Sequence, residues 1–411
     1  MLDTASIFAT ALGISEPWYV EEVKFDDKNS KLEIYLNFRK GSYFPYCNED
    51  GTIETATAYD TVEKRWRHLN FFQHECYLVA RTPRVKNKSG KIQTYVPDWS
   101  GLSKGFTLLF EAIILQLAKD MPINKIGKML NVSDKIIWNL LDQYIEKARK
   151  FEDYSNVSKI GIDETSQAKG HEYISLFVDL ENRRTMFVTV GKGSETVTEF
   201  KKDFTAHKGN IDNITDVSCD MSRAFIKGVT DNMPNANITF DKFHIIKLIN
   251  KAVDDVRRQE VKDNPILKGT RYVFLKNKNN LTKNQQKLKE QLVLANINLK
   301  SMTALNMRET FQQIYLADTY DDFVTLLQKW YQWVTGSGLD SMIKVAKTIK
   351  EHWDGIIAWK KSQINNGVLE GLNSVIQAAK RKARGYKLKH LKTIAYLITS
   401  NLNFKKLNQA C

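Results

Sequence analysis

The spacing of apolar residues changes period along the chain, and each change marks a segment. Up to about Gly101, Trp18-Tyr19-Val20, Leu32-Glu33-Ile34-Tyr35-Leu36 and Cys76-Tyr77-Leu78-Val79-Ala80 alternate or cluster as strands do, so a β-rich module is expected over residues 1–100. From Phe106 to Ala148 the period lengthens. Phe106, Leu109, Phe110, Ile113, Ile114 and Leu117 recur at three- and four-residue spacing, as one buried helix face requires. Pro122, whose missing N–H costs nothing at a helix start, opens a short helix carrying Ile123, Ile126, Met129 and Leu130. Asn131-Val132 makes a turn, and Ser133 can cap a third helix through Ile136, Ile137, Leu140, Leu141 and Tyr144. Short helix, tight turn and longer helix form a helix-turn-helix over residues 101–155, or else a plain helical hairpin. On the first reading Asp134, Lys135, Trp138 and Asn139 lie early on a helix that can enter a major groove, and Lys135, Trp138 and Asn139 are the expected DNA contacts.

A polar linker, Glu152 to Ser158, precedes a return to period two. Lys159-Ile160-Gly161-Ile162-Asp163-Glu164-Thr165 reads as a buried strand, with a turn from Ser166 to Gly170. Asp163 is expected at its end, projecting from the sheet edge; most such residues only cap a turn. His171–Val178 and Arg184–Val190 read as two further strands, Thr196–Phe204 as a helix and Ile214–Asp220 as a fourth strand that again ends on Asp. Ser222–Val229 follows as helix and Ala236–Asp241 as a fifth strand. Three strands, helix, strand, helix, strand is, by analogy, the order of the ribonuclease H-like fold, in which the first and fourth strands are neighbours and Asp163 would meet Asp220. Glu164 should face the other way, since strand side chains alternate, and Asp179 is expected only to shape a hairpin turn. Asp241 and His244 are expected near the same sheet end.

From His244 to about Trp359 the pattern is almost wholly helical. The expected architecture is therefore α/β, with a core in two parts (156–244 and 360–411) interrupted by an all-helical insertion (245–359). The helix expected from Asn365 buries Val368, Leu369, Leu372, Val375, Ile376 and Ala379. Glu370, Asn373 and Gln377, at i, i+3 and i+7, fall together beside that stripe as a site wall, although an early Glu can simply offset the helix dipole.

Composition changes this picture in two places. Lys plus Arg total 61 against 47 Asp plus Glu, a net charge of +14, which is the sign expected of a protein that lives against phosphate. Part of the excess is the run Lys380, Arg381, Lys382, Arg384 and Lys387 just past Glu370, placed to grip a DNA backbone. The four cysteines, Cys47, Cys76, Cys219 and Cys411, show no C-x-x-C pair, which indicates no disulfide framework and a reducing compartment. Cys47, Cys76, His68 and His74 lack the paired spacing of a structural zinc site. With no signal-peptide pattern and no membrane-length apolar run, a cytoplasmic protein is expected.

With these residues in hand the chain resembles the ISL3 family of insertion-sequence transposases over nearly its whole length. The resemblance rests on Trp66-Arg67-His68-Leu69 with Phe71-Phe72-Gln73-His74, on Gly161-Ile162-Asp163-Glu164 and on Asp241-Lys242-Phe243-His244. It rests also on Asn366-Gly367-Val368-Leu369-Glu370-Gly371-Leu372-Asn373 with Lys380-Arg381-Lys382-Ala383-Arg384-Gly385-Tyr386. It implies a DDE recombinase whose triad falls on Asp163, Asp220 and Glu370, 57 and 150 residues apart, the second gap holding the insertion. Three such carboxylates suit two Mg²⁺ or Mn²⁺ ions that support cleavage and strand transfer of double-stranded DNA at terminal inverted repeats. Joining two ends implies at least a homodimer. The competing reading is a catalytically silent transposase descendant that only binds DNA. One departure stands out: the family's Cys-Pro-x-Cys knuckle is Phe44-Pro45-Tyr46-Cys47 here, and Asn87 stands where a later Cys is expected, which puts zinc in doubt and leaves aromatic residues to replace the staple.

Overall fold

In the computed structural model of the chain, residues 3–166, 172–294, 299–364 and 367–404 are described. Most of the turn expected at Ser166 to Gly170, His171, and the Asn365-Asn366 start of the last expected helix lie outside them. Two units emerge, one built on Met1–Lys147 and one on Ala148–Lys406.

The first unit begins with a helix that the strand-like spacing concealed, α1 (Thr4–Leu12), capped by the Asp3 carboxylate on Ser6 N–H and closed by Gly13 in the left-handed region. Seven strands follow: β1 (Trp18–Asp26), β2 (Lys31–Phe38), β3 (Tyr43–Cys47), β4 (Ile53–Thr57), β5 (Asp60–Arg67), β6 (Glu75–Lys86) and β7 (Ile92–Thr94). They pair in the order β1-β2-β6-β5, with β7 on β6 and β3/β4 as a separate hairpin. Alternation in β2 sends Leu32, Ile34 and Leu36 into a core shared with Phe8, Trp18, Phe44, Trp66 and Leu78. At the segment that departs from the family pattern, Phe44 packs against Trp18, Phe38 and Tyr95 at ring separations of 6.1, 4.9 and 5.1 Å. Buried Asn87 accepts from Lys91 N–H and Ser89 Oγ, which closes the β6–β7 turn. Cys47 is exposed, and its carbonyl accepts from Gln93 Nε2 at 2.6 Å.

Three helices complete this unit: α2 (Leu108–Asp120), α3 (Ile123–Leu130) and α4 (Asp134–Arg149). The buried face of α2 is Phe110, Glu111, Ile114, Leu115 and Ala118, while Leu109 and Ile113 are exposed, so the expected stripe is rotated. So many apolar residues stand side by side in this helix that periodicity alone cannot choose the face. A buried carboxylate decides it: Glu111 accepts from Leu102 N–H, Ser103 N–H and the Tyr144 hydroxyl, fastening the entry loop and α4 to α2. Asn131, in the left-handed region, ends α3, and Gly127 permits the tight turn, since a Cβ there would lie 2.6 Å from Asp134 Oδ1 and 2.7 Å from the Val132 carbonyl. Ile137, Leu140, Leu141 and Tyr144 are buried on α4; Ile136, expected among them, is exposed.

The second unit is built on β8 (Lys159–Ser166), β9 (Tyr173–Asp179), β10 (Arg184–Val190), β11 (Asp216–Cys219) and β12 (Asn237–Phe240), in the order β10-β9-β8-β11-β12. The first three are antiparallel neighbours, and β11 runs parallel to both β8 and β12. The helices α5 (Glu195–Ala206) and α6 (Arg223–Asn232) separate the later strands. Ile160 and Ile162 of β8 join Phe177, Val197 and Phe200 in the core.

A helical stretch then runs through α7 (Lys242–Glu260), α8 (Arg271–Leu275), α9 (Lys283–Leu294), α10 (Lys300–Ile314), α11 (Tyr320–Thr335), α12 (Asp340–Glu351) and α13 (Trp353–Ser362). Its core continues that of the sheet through Ile245, Ile249 and Val253 of α7. The chain returns to the sheet with α14 (Gly367–Lys382) and α15 (Leu388–Thr399), where the Tyr396 hydroxyl accepts from Val188 N–H. No helix among the described residues is long and apolar enough to cross a membrane.

Candidate active site

Asp163 does not end its strand. β8 continues to Ser166, and the last residue of β8 paired with β11 is Gly161, opposite Ser218. The neighbour ends, not the strand, so Asp163 sits just beyond the closing parallel pair, on the side where Asp220 follows β11. Asp220 accepts from Ser222 N–H at 2.9 Å, which turns the chain into α6.

Side-chain alternation puts Gly161, Asp163 and Thr165 on one face of β8, with Ile160, Ile162 and Glu164 on the other. Onto the first face comes α14. A Cβ on Gly161 would lie 2.8 Å from a Leu369 methyl and 2.9 Å from a Leu180 methyl, so a larger residue would displace those side chains from the α14 contact. Asn373 then bridges two strand residues: its amide nitrogen donates to Asp163 and its oxygen accepts from the buried Thr165 hydroxyl. Gln377 and Lys380 continue the line, both donating to the Ser166 carbonyl. The buried stripe of α14 is narrower than the sequence pattern suggests: Leu369 and Ile376 are buried, whereas Val375 is exposed.

A third element adds Asp241 and His244. Asp241 caps α7, accepting from Phe243 N–H at 2.8 Å, and holds His244 Nδ1 at 3.1 Å. That hydrogen bond raises the proton affinity of His244, and the charges of Asp163 and Asp220 push it the same way. Asp163 is raised to about 6, chiefly by burial, with Asp241 and Asp220 adding to the shift and His244 opposing it. Glu370, in the first turn of α14, is also raised by burial and by Asp241, with His244 opposing. Asp241 and His244 therefore lie electrostatically between Asp163 with Asp220 and Glu370. Glu164 is raised by burial and by Asp220, against the pull of Lys192. Asp179 has no access to this cluster; fully buried, it accepts from Glu181 N–H and from Asn182, and shapes the β9–β10 turn.

Of the DNA-contact residues singled out from the sequence, Lys135, Asn139, Arg381, Lys382, Arg384 and Lys387 are exposed. Trp138 is half-buried on α4, and Lys380 is taken up by Ser166. Two residues that organise the site escape sequence reasoning: Gly161 and Thr165. The one signal for either was a glycine between two isoleucines in a strand.

Beside the carboxylates, Asp241, Phe243, Ile246, Trp359, Gln363 and Glu370 are among the residues lining a cleft of about 620 Å³.

Residues 160–395 match the ISL3 family of DDE proteins described as transposase. The chain belongs to the ISL3 family of transposases. Residues 96–145 match the helix-turn-helix domain of the same family, so α2 to α4 belong to a DNA-binding domain. The chain is similar to the transposase for insertion sequence element IS1001 of Bordetella parapertussis, at 24% identity over 92% of this chain and 94% of the relative. It is also similar to the transposase for insertion sequence element IS1557 of Mycobacterium tuberculosis, at 22% identity over 93% and 92%. DDE transposases generally use divalent metal ions. The residues suit one in kind, as hard oxygen donors: Asp163 and Glu370 are each raised chiefly by burial and further by the charge of Asp241, an excess that a hard cation relieves. Among the described residues, no three His, Cys, Asp or Glu side chains are gathered closely enough to hold an ion by themselves.

Proposed function

We propose that this family member cuts and joins double-stranded DNA at the ends of its insertion sequence, using Asp163, Asp220 and Glu370 as a metal-binding triad in a ribonuclease H-like core. The observation that carries the reading is the hydrogen bond from Asn373 to Asp163, which ties the helix bearing Glu370 to the strand bearing Asp163 across 210 residues of chain. The strand order β10-β9-β8-β11-β12, with α7 to α13 inserted before α14, supports the fold.

Two Mg²⁺ or Mn²⁺ ions at these carboxylates would activate the attacking oxygen and stabilise the leaving one in an in-line displacement. The chain's own part is positional. Asn373 holds one Asp163 oxygen and Glu164 N–H the other, which fixes the carboxylate plane. His244 Nδ1 is held by Asp241, and that contact raises its proton affinity among the acids. Lys135, Trp138 and Asn139 on α4 are proposed to read the terminal repeat, and the exposed basic residues after α14 to hold backbone phosphates. Two ends must be joined, so the working form is proposed to be a homodimer.

The test is metal-dependent nicking and strand transfer on a duplex taken from the DNA flanking the chain's reading frame. Asp163→Asn, Asp220→Asn and Glu370→Gln should each retain below about one-hundredth of wild-type cutting while still shifting the duplex in a gel. Near-normal cutting by any one removes that residue from the triad. A wild-type chain that shifts the duplex and leaves it whole would instead be a DNA-binding descendant.

A further inference from the structure

Among the described residues that line the cleft beside Glu370, Lys242 alone is cationic, with Asp241 and Glu370 on the same walls. Lys242 opens α7 and is half-buried. Its ammonium lies 4.3 Å from the centre of the Tyr315 ring and 5.8 Å from that of Trp359. Both rings come from the helical stretch: Tyr315 closes α10, Trp359 stands on α13, and they pack edge-on at 4.7 Å. Lys360, next along α13, donates to the Ala317 carbonyl and ties the two segments together. No carboxylate answers the Lys242 charge. Among the described residues it makes no ion pair and no hydrogen bond, and burial lowers its proton affinity. The acids nearby are engaged otherwise: Asp241 accepts from Phe243 N–H and holds His244, and Glu370 belongs to the proposed triad. The place is unfavourable for a cation twice over. Half-burial costs it solvation that ring faces offset only in part, and the first turn of a helix disfavours positive charge while favouring an anion. An apolar side chain of the same length would pack there without either cost, so the charge serves an anion that enters the cleft.

We propose that Lys242 takes a backbone phosphate of the strand being cut, beside the phosphate that is cut, and so sets where along the strand Glu370 acts. The proposal rests on the transposase reading, in which the cut phosphate lies at the triad. Glu370 and Lys242 line one cleft, so a strand held at the first is carried past the second. A lysine meets phosphate as a point charge, and phosphates are alike at every base, so the contact sets position and not sequence. The helical stretch gains a part in the reaction through it, because Tyr315 and Trp359 fix where the ammonium stands.

The probe is the end duplex described above, with one phosphate at a time across the junction replaced by an uncharged methylphosphonate. Lys242→Met in the full chain keeps an apolar stem over the rings and removes the charge. In single-turnover cutting in Mg²⁺ it should lose about tenfold on the unmodified duplex, and one methylphosphonate beside the cut should cost the wild-type chain a similar factor. On that one duplex the variant should lose nothing further, while at other positions the two losses multiply. Lys242→Arg should recover most of the loss, and Lys242→Met should unfold on heating no earlier than wild type. Normal cutting by Lys242→Met, or losses that multiply at every phosphate, overturns the contact and leaves the ammonium a packing element. Filter binding without metal keeps the triad separate. There the variant and the one methylphosphonate should each lower the log–log salt slope by about 0.9, and together by no more than either alone. That result in a chain that never cuts keeps the phosphate contact and sinks the triad. Wild-type cutting with no sensitive phosphate beside the cut keeps the triad and sinks the contact, and a duplex neither bound nor cut sinks both.

Discussion

His68 follows β5 with its Nδ1 2.9 Å from the Thr107 hydroxyl, which also accepts Phe110 N–H as the cap of α2. A hydroxyl that accepts from the helix can donate only to an unprotonated imidazole, and burial with the neighbouring Arg67 charge lowers the His68 pKa to about 4. The sign follows: the unfolded chain binds this proton near 6.5 and the folded one near 4, so the unfolded state is favoured as pH falls between them. Stability should be full above about pH 6.5 and fall by roughly 2–3 kcal/mol on approaching pH 4, a slope that His68→Phe flattens in urea titrations at a series of pH values. This histidine was visible in the sequence as part of an aromatic motif and as a discarded zinc ligand; its partner lies 39 residues on, in another element. Asp163 and Asp220 were legible as strand-end candidates because each follows an apolar-rich run, whereas Thr165 looks like any polar residue until α14 is placed beside it.

Two glycines decide whether neighbouring elements meet. Gly161→Ala would drive a methyl into Leu369 and Leu180, lifting α14 off β8; the expected cost is about 1–3 kcal/mol in thermal unfolding, with cutting lost more steeply than stability because Asn373 leaves Asp163. Gly127→Ala meets a backbone carbonyl that cannot swing aside, so it should weaken end-DNA binding in gel shifts while leaving the fold of the second unit, followed by hydrogen exchange, unchanged. Strands and helices themselves were largely readable: β10 spans the same residues that alternation marks out, and the break at Gly336 to Gly338 separates α11 from α12. Faces and ends were not. The exposed Leu109, Ile113 and Val375 show apolar spacing overstating burial, and β8 outruns its expected end because backbone pairing with β9 continues past Asp163.

For the molecule as a whole, the +14 charge makes DNA affinity fall with salt. Replacing the exposed Arg381, Lys382, Arg384 and Lys387 by Ala should lower the log–log salt slope by up to about 3–4, roughly 0.9 for each phosphate no longer neutralised. Lys380→Ala should act differently, costing stability with little change in slope, since its ammonium is held by Ser166. Filter binding from about 50 to 200 mM salt separates the two. At this scale the sequence said least unaided: no periodicity reveals that a strand at 163 and a helix at 373 touch, and the family resemblance supplied that link. The hydrogen bond between them also sets an order in time. A ribosome adding about 5–20 residues per second takes roughly 10–40 s to go from Asp163 to Asn373. Through that interval the whole stretch from Met1 to Lys147, with its DNA-reading helices, has already been made, while the strand that carries Asp163 still waits for its helix. The helices of the DNA-binding domain are thus complete well before the residues proposed for the triad can be brought together.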